Sequence, residues 1–261
     1  MLELNVRAFG ETDRPTIVLL HGLFGSSANW GSIARHLSAD YRVLVPDLRN
    51  HGQSPHDAAH SYPLMVGDLL HLLDQNAVDS ATLIGHSMGG KAAMHLALNH
   101  PQRVDGLAVL DMAPVSYTHD FDDVLAAFAA VDLDRVGKRT DADAQMASVI
   151  PHRGVRAFLL QNLHKGPDGW VWRANIEALA AAQEQITGFP QQAEDASFDG
   201  PCSFIHGELS DYVTPAYEPA IRALFPTAEL CPVADAGHWV YAEQPQGFAR
   251  CLDGFLSRLA H

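Results

Sequence analysis

The chain has 261 residues, 47% of them hydrophobic, which is enough to bury one large core. It carries 17 basic against 31 acidic residues, and a net charge of −14 repels nucleic acid and anionic membrane surfaces, so neither is an expected partner. Three cysteines, Cys202, Cys231 and Cys251, lack the spacing of a metal or redox pair and read as buried thiols, while the 15 histidines form no metal pattern and leave no metal expected.

Met1 to Asp13 alternates apolar and polar residues and includes Glu3, Glu11 and Asp13. It reads as a first strand and not a signal peptide, which points to the cytoplasm. No apolar stretch is long enough to span a bilayer. Thr16 to Leu20 is a short apolar run of the kind that forms a parallel strand buried on both faces. His21-Gly22-Leu23-Phe24-Gly25 follows it, where a loop can aim a backbone amide at a developing oxyanion. Leu23 is the first candidate donor and Phe24 the alternative; His21 is expected to brace the turn. Trp30 to Leu37 has helical spacing, Arg42 to Val45 reads as a strand, and Leu64 to Leu73 places Met65, Leu69, Leu72 and Leu73 on one helix face.

Leu83-Ile84-Gly85-His86-Ser87-Met88-Gly89-Gly90 runs from a buried strand into a helix through Gly-x-Ser-x-Gly. The glycines permit a bend tight enough to lift the Ser87 hydroxyl clear of the sheet, with the Met88 amide beside it at a helix N-terminus. His86 should point away from the serine, and His95 and His100 read as helix-surface residues. Val104 to Leu110 is a further strand, ending at Asp111. The pattern then breaks. Residues 115–196 are rich in Ala, Asp, Arg and Gln, with helical spacing at Val124, Leu125 and Phe128 and again at Phe158, Leu159 and Leu163, but no strand is expected. This segment reads as a helical cap inserted into a core of 1–114 and 197–261, with too few strong apolar positions for a core of its own. Phe121, Phe128 and Phe158, with Phe24 and Trp239, are candidate walls of a substrate pocket, as are Trp170 and Trp172.

The strand–helix alternation resumes with strands at Ser203 to His206 and Glu229 to Val233 and helices at Ala216 to Leu224 and Gln246 to Leu259. Such β–α units imply an α/β fold, a mostly parallel sheet with helices on both faces. His238, in Asp235-Ala236-Gly237-His238-Trp239, follows the last strand. There a neutral imidazole can reach Ser87 as general base and return the proton to a leaving group. The carboxylate that orients it is either Asp111 or Asp211, both placed after sheet strands.

The chain resembles the α/β-hydrolase superfamily and, more closely, the bacterial YbfF-like carboxylesterases. The resemblance rests on residues 21–26 (HGLFGS), 47–54 (DLRNHGQS), 85–91 (GHSMGGK), 110–114 (LDMAP) and 236–240 (AGHWV). It implies an eight-stranded sheet, a helical cap, and cofactor-free hydrolysis of short-acyl esters by Ser87 and His238, with Asp111 as the acid; the aromatic residues of the insertion favour small, uncharged esters. The same serine machinery serves thioesterases, lipases, C–C hydrolases and acyltransferases, and the fold alone also hosts ligand-binding proteins.

Overall fold

The computed structural model describes residues 1–118 and 120–259. Nine strands are present among them: β1 (Val6–Phe9), β2 (Thr16–Leu20), β3 (Arg42–Pro46), β4 (Ala81–His86), β5 (Val104–Leu110), β6 (Leu163–Gly166), β7 (Gly169–Trp172), β8 (Cys202–Gly207) and β9 (Glu229–Val233). Seven form one sheet in the order β1-β3-β2-β4-β5-β8-β9. Only β1 runs antiparallel, paired with β3. Every residue of β2 and of β4 is buried, as strands covered on both faces require.

Side-chain alternation divides the core into two layers. Val18 and Leu20 pack with Leu83, Leu107 and Val109 beneath α2 (Tyr62–Gln75) and α3 (Met88–Asn99). Ile17 and Leu19 pack with Ile84, Ala108 and Leu110 on the opposite face. That face is covered by α1 (Gly31–Leu37), through Ala34 and Leu37, and by the last helix through Leu252, Phe255 and Leu256.

Between β5 and β8, which pair directly, the chain builds five short helices: α4 (Asp122–Ala129), α5 (Arg139–Met146), α6 (Arg153–Leu159), α7 (Ile176–Ala181) and α8 (Gln183–Thr187). Beyond β8 come α9 (Glu218–Leu224), α10 (Val240–Glu243) and α11 (Pro245–Leu259).

Several expectations need correction. The main sheet has seven strands, not eight: the chain ahead of β1 forms no further strand and is tied mainly to side chains, with one backbone bond, Asp47 N to Asn5 O. Leu2 N donates to Asp68 and Asn5 N to Ser54 Oγ. The segment between β5 and β8 is not strand-free: β6 and β7 form an antiparallel hairpin across Pro167 and Asp168. It also has an apolar cluster of its own, including Phe128, Met146, Leu159, Leu163 and Leu179, assembled from short helices that each supply only a few positions. Cys231 and Cys251 are not thiols but a disulfide joining β9 to α11; Cys202 is a buried free thiol. His95 is buried and bonds to Asn99 and Gln192.

Candidate active site

The loops leaving the C-terminal ends of β2, β4, β5 and β9 meet at a cavity of about 190 Å³. Ser87 stands between β4 and α3 at φ +53° and ψ −118°, a backbone state side chains rarely adopt. Two glycines make the bend feasible. A Cβ on Gly85 would lie 2.4 Å from Gly89 O, and one on Gly89 would lie 2.5 Å from Leu20 O. The Ser87 amide donates to Leu110 O on β5 at 3.1 Å, continuing the β4–β5 pairing into the bend.

His238 lines the same cavity as Ser87. Its Nδ1 lies 2.7 Å from Asp111 Oδ2, so the proton sits on Nδ1 and Nε2 is left as the basic nitrogen. Asp111 is fully buried at φ +49°, and its other partners are the Gly207 amide, donating to Oδ1 at 3.0 Å, and the Ser210 hydroxyl, donating to Oδ2. Asp211 is exposed.

The backbone around the imidazole is also tied down. Glu243 accepts the amides of Gly237 (2.7 Å) and Trp239 (3.2 Å), and His86 Nε2 donates to His238 O at 2.9 Å. Burial holds His86 well below the ordinary histidine range, so it stays neutral. Tyr212 stacks on the His238 ring with centroids 4.1 Å apart. Ser210, Tyr212 and Glu243 escaped sequence reasoning, since no motif marks them.

Across the cavity, the amides of Leu23 and Met88 have no hydrogen-bond partner among the described residues. The Phe24 amide is not available, because it donates to His51 Nε2 at 3.1 Å. The alternative donor is therefore ruled out by its own bond. His21 braces the turn as expected: Nε2 accepts the Leu48 amide and Nδ1 donates to Gly22 O, both within 2.9 Å.

Phe24, Phe121, Phe158 and Trp239 line the cavity, but Phe128 does not; it lies behind Phe24, against Trp172. Neither Trp170 nor Trp172 reaches the cavity wall. Lys91, buried on α3, donates to Thr187 O (2.7 Å) and Gly188 O (2.6 Å) and lies 4.8 Å from the Tyr117 ring centroid. Burial pulls its ammonium down to about 7. A second cavity of about 1030 Å³ adjoins the first, sharing Phe158, His238 and Trp239 with it, and is lined also by Ile33, His152 and Gln161.

A serine on a strained turn, an imidazole aligned by a buried carboxylate, and two unpaired amides form a set suited to acyl transfer. Residues 15–245 match the family model described as alpha/beta hydrolase fold. The chain is 41% identical over 256 residues to the mouse (Mus musculus) sn-1-specific diacylglycerol lipase ABHD11, covering 95% of this chain and 83% of that protein. It is 39% identical over 260 residues to esterase YbfF of Escherichia coli, covering 98% and 100%. A solved structure titled marine microorganism esterase superposes with a TM-score of 0.94 at 35% identity, covering 98% of this chain and all of that one.

Proposed function

The chain belongs to the α/β-hydrolase family and is a carboxylic ester hydrolase, and we propose that Ser87, His238 and Asp111 carry its chemistry. Ser87 Oγ attacks the ester carbonyl while His238 Nε2 takes the hydroxyl proton. The amides of Leu23 and Met88 hold the resulting oxyanion, a contribution of about 3–4 kcal/mol per donor. The carbon–oxygen bond to the alcohol breaks as His238 returns the proton to the leaving oxygen. Water, deprotonated by the same nitrogen, then attacks the acyl carbon, and the bond to Ser87 Oγ breaks as His238 returns the proton to that oxygen, releasing the acid. Asp111 keeps the Nδ1 proton in place and stabilises the imidazolium.

The 2.7 Å contact between Asp111 and His238 carries this reading, because it supports Asp111 over Asp211 as the acid. The test is Ser87→Ala against an activated aryl ester. Loss of hydrolysis by about six orders of magnitude, on the serine-protease precedent, with substrate binding retained, is expected. Binding without turnover in the unmutated protein would instead mark a ligand-binding member of the fold.

The substrate we propose is a small, uncharged ester with a short acyl chain. The apolar cavity beside Ser87, about 190 Å³, is smaller than the roughly 300–1,000 Å³ of pockets for drug-sized ligands. The second cavity favours another reading, an ester with a bulky alcohol portion, in keeping with the diacylglycerol lipase named among the relatives. Paired series that vary acyl length and alcohol size separate the two.

Residues 115–196 are proposed as a cap over a core of 1–114 and 197–261. No helix among the described residues is long and apolar enough to cross a membrane. The Cys231–Cys251 bond, of a type that persists mainly in oxidising compartments, argues against a cytoplasmic location.

A further inference from the structure

Three consecutive peptide units in the loop after β2 are held by groups outside that loop's own backbone. The first carries the Leu23 amide, and its carbonyl, Gly22 O, accepts from His21 Nδ1 at 2.8 Å. The second presents the Phe24 amide to His51 Nε2 at 3.1 Å. The third presents Phe24 O to Asn162 Nδ2 at 2.8 Å.

Asn162 lies just after α6 and is buried; its second amide proton goes to Leu159 O at 3.1 Å. His51 belongs to the loop after β3 and is fully buried, with Nδ1 donating to Arg49 O at 2.8 Å. Burial, with the neighbouring His21 and His60, holds His51 well below the ordinary histidine range, so Nε2 remains an acceptor. Phe24 itself sits at φ +59°, with its ring among the apolar residues of the segment between β5 and β8, 5.9 Å from Phe121 and 5.0 Å from Phe128. That segment also reaches the His51 loop, because the Asn175 amide donates to Asn50 O at 2.9 Å.

We propose that His51 and Asn162 are positioning residues that clamp the Leu23–Phe24–Gly25 strap, so that the Leu23 amide points at the oxyanion. The proposal rests on Ser87 chemistry as read above. A residue such as Phe24, with positive φ and its amide and carbonyl both engaged, has little freedom left. Its upstream neighbour, the Leu23 amide, is thereby pre-aimed before substrate arrives, which is what an oxyanion donor requires. The proposed cap thus contributes to the chemical step and not only to substrate selection.

His51→Phe fills the same space but removes the acceptor; Asn162→Ala removes the donor. Each should lower kcat about tenfold to a hundredfold, less than the full 10²–10³ expected for deleting an oxyanion donor. KM should hold, and affinity for a trifluoromethyl ketone, which forms an oxyanion on Ser87, should fall in parallel with kcat/KM. His51→Gln, whose side-chain oxygen can accept the Phe24 amide, should recover part of the loss. A merely structural role would lower the active fraction and leave the ketone affinity of the remaining sites intact. Unchanged kcat in folded variants overturns the clamp. Titration with a fluorophosphonate should still place one label per chain on Ser87; failure of that labelling in the unmutated protein would count against the serine reading instead. If neither variant folds, amide exchange in the unmutated protein decides: Phe24 protected beside a fast Leu23 supports the clamp, and equally fast exchange at both refutes it.

Discussion

The two halves of the proposed active centre are held in different ways. On the imidazole side, the polar contacts to Asp111 and to the backbone around His238 come from the sheet and its own loops: Asp111 after β5, Gly207 at the end of β8, Ser210 beyond it, and Glu243 on α10. The segment between β5 and β8 reaches this side through Tyr117, whose hydroxyl donates to Tyr212 O at 2.7 Å. On the oxyanion side, the strap after β2 is held from below by His51 and from above by Asn162 and the Phe121–Phe128 cluster. The first half is fixed by buried charge, with one carboxylate satisfied by three donors. The second is fixed by neutral bonds and ring packing across two parts of the chain. Perturbing the segment between β5 and β8 should therefore damage the oxyanion half more than the imidazole half.

The largest effect tests the imidazole half alone. Asp111→Asn should cost about 10⁴-fold in kcat, by releasing the imidazole into the wrong tautomer. The exposed Asp211→Asn should cost less than about tenfold, as weakly coupled surface charges do. Steady-state kinetics on folded proteins at neutral pH gives the ranking, and the reverse order would move the acid to Asp211.

Excising 115–196 with a short linker sharpens the comparison from the other side. The sheet side keeps its carboxylate network, but Phe24 loses both Asn162 and its ring partners. A folded deletion should lose about 10²–10³ in kcat, the scale of one oxyanion donor, as well as its chain-length preference. Retention of kcat would mean that the strap stands without support from above.

Ser210→Ala removes one of three donors to Asp111 and leaves the Gly207 amide and His238. A lost bond to a charged acceptor is worth about 1.5–3 kcal/mol, so kcat should fall roughly tenfold to a hundredfold. Trifluoromethyl ketone affinity should fall less than in His51→Phe. Equal losses in both assays would blur the division between the halves.

The smallest effect is on stability. Burial, with the Arg49 charge, lowers His60 to about 4 from its ordinary 6.5. The unfolded chain therefore binds a proton that the folded one refuses between those values, so folding stability falls as pH drops from 6.5 towards 4. His21, His51 and His86 are shifted the same way and add to it. Thermal melts should show Tm dropping across that window, with a shallower slope in His60→Phe. An unchanged slope would mean that His60 titrates normally.

The sheet side of the site was legible in sequence because its geometry is local. Gly85 and Gly89 report a bend of five residues, Ser87 and Asp111 each follow a buried apolar run, and His238 follows the last strand of the sheet. Choosing Asp111 over Asp211 was not a local matter: it depends on where Gly207 and Ser210 come to lie, about a hundred positions downstream. The oxyanion half was less legible for the same reason. Phe24 reads as an alternative donor until His51, 27 residues away, is seen to take its amide. The hairpin β6–β7 was within reach, since Gly166-Pro167-Asp168-Gly169 is a turn signal. Its four-residue strands are too short for a period to stand out. The disulfide had no local signature, because Cys231 and Cys251 meet only when α11 docks on β9.

The central claim, that Ser87 acylates under the control of the Asp111–His238 pair, is tested most directly by mass spectrometry of the intact protein quenched during turnover of an activated short-acyl ester. A single acyl adduct should appear on the peptide containing Ser87. It should be absent in Ser87→Ala, form about 10⁴-fold more slowly in Asp111→Asn, and form at nearly the normal rate in Asp211→Asn. An adduct on another residue, or unchanged acylation in Asp111→Asn, would contradict the account.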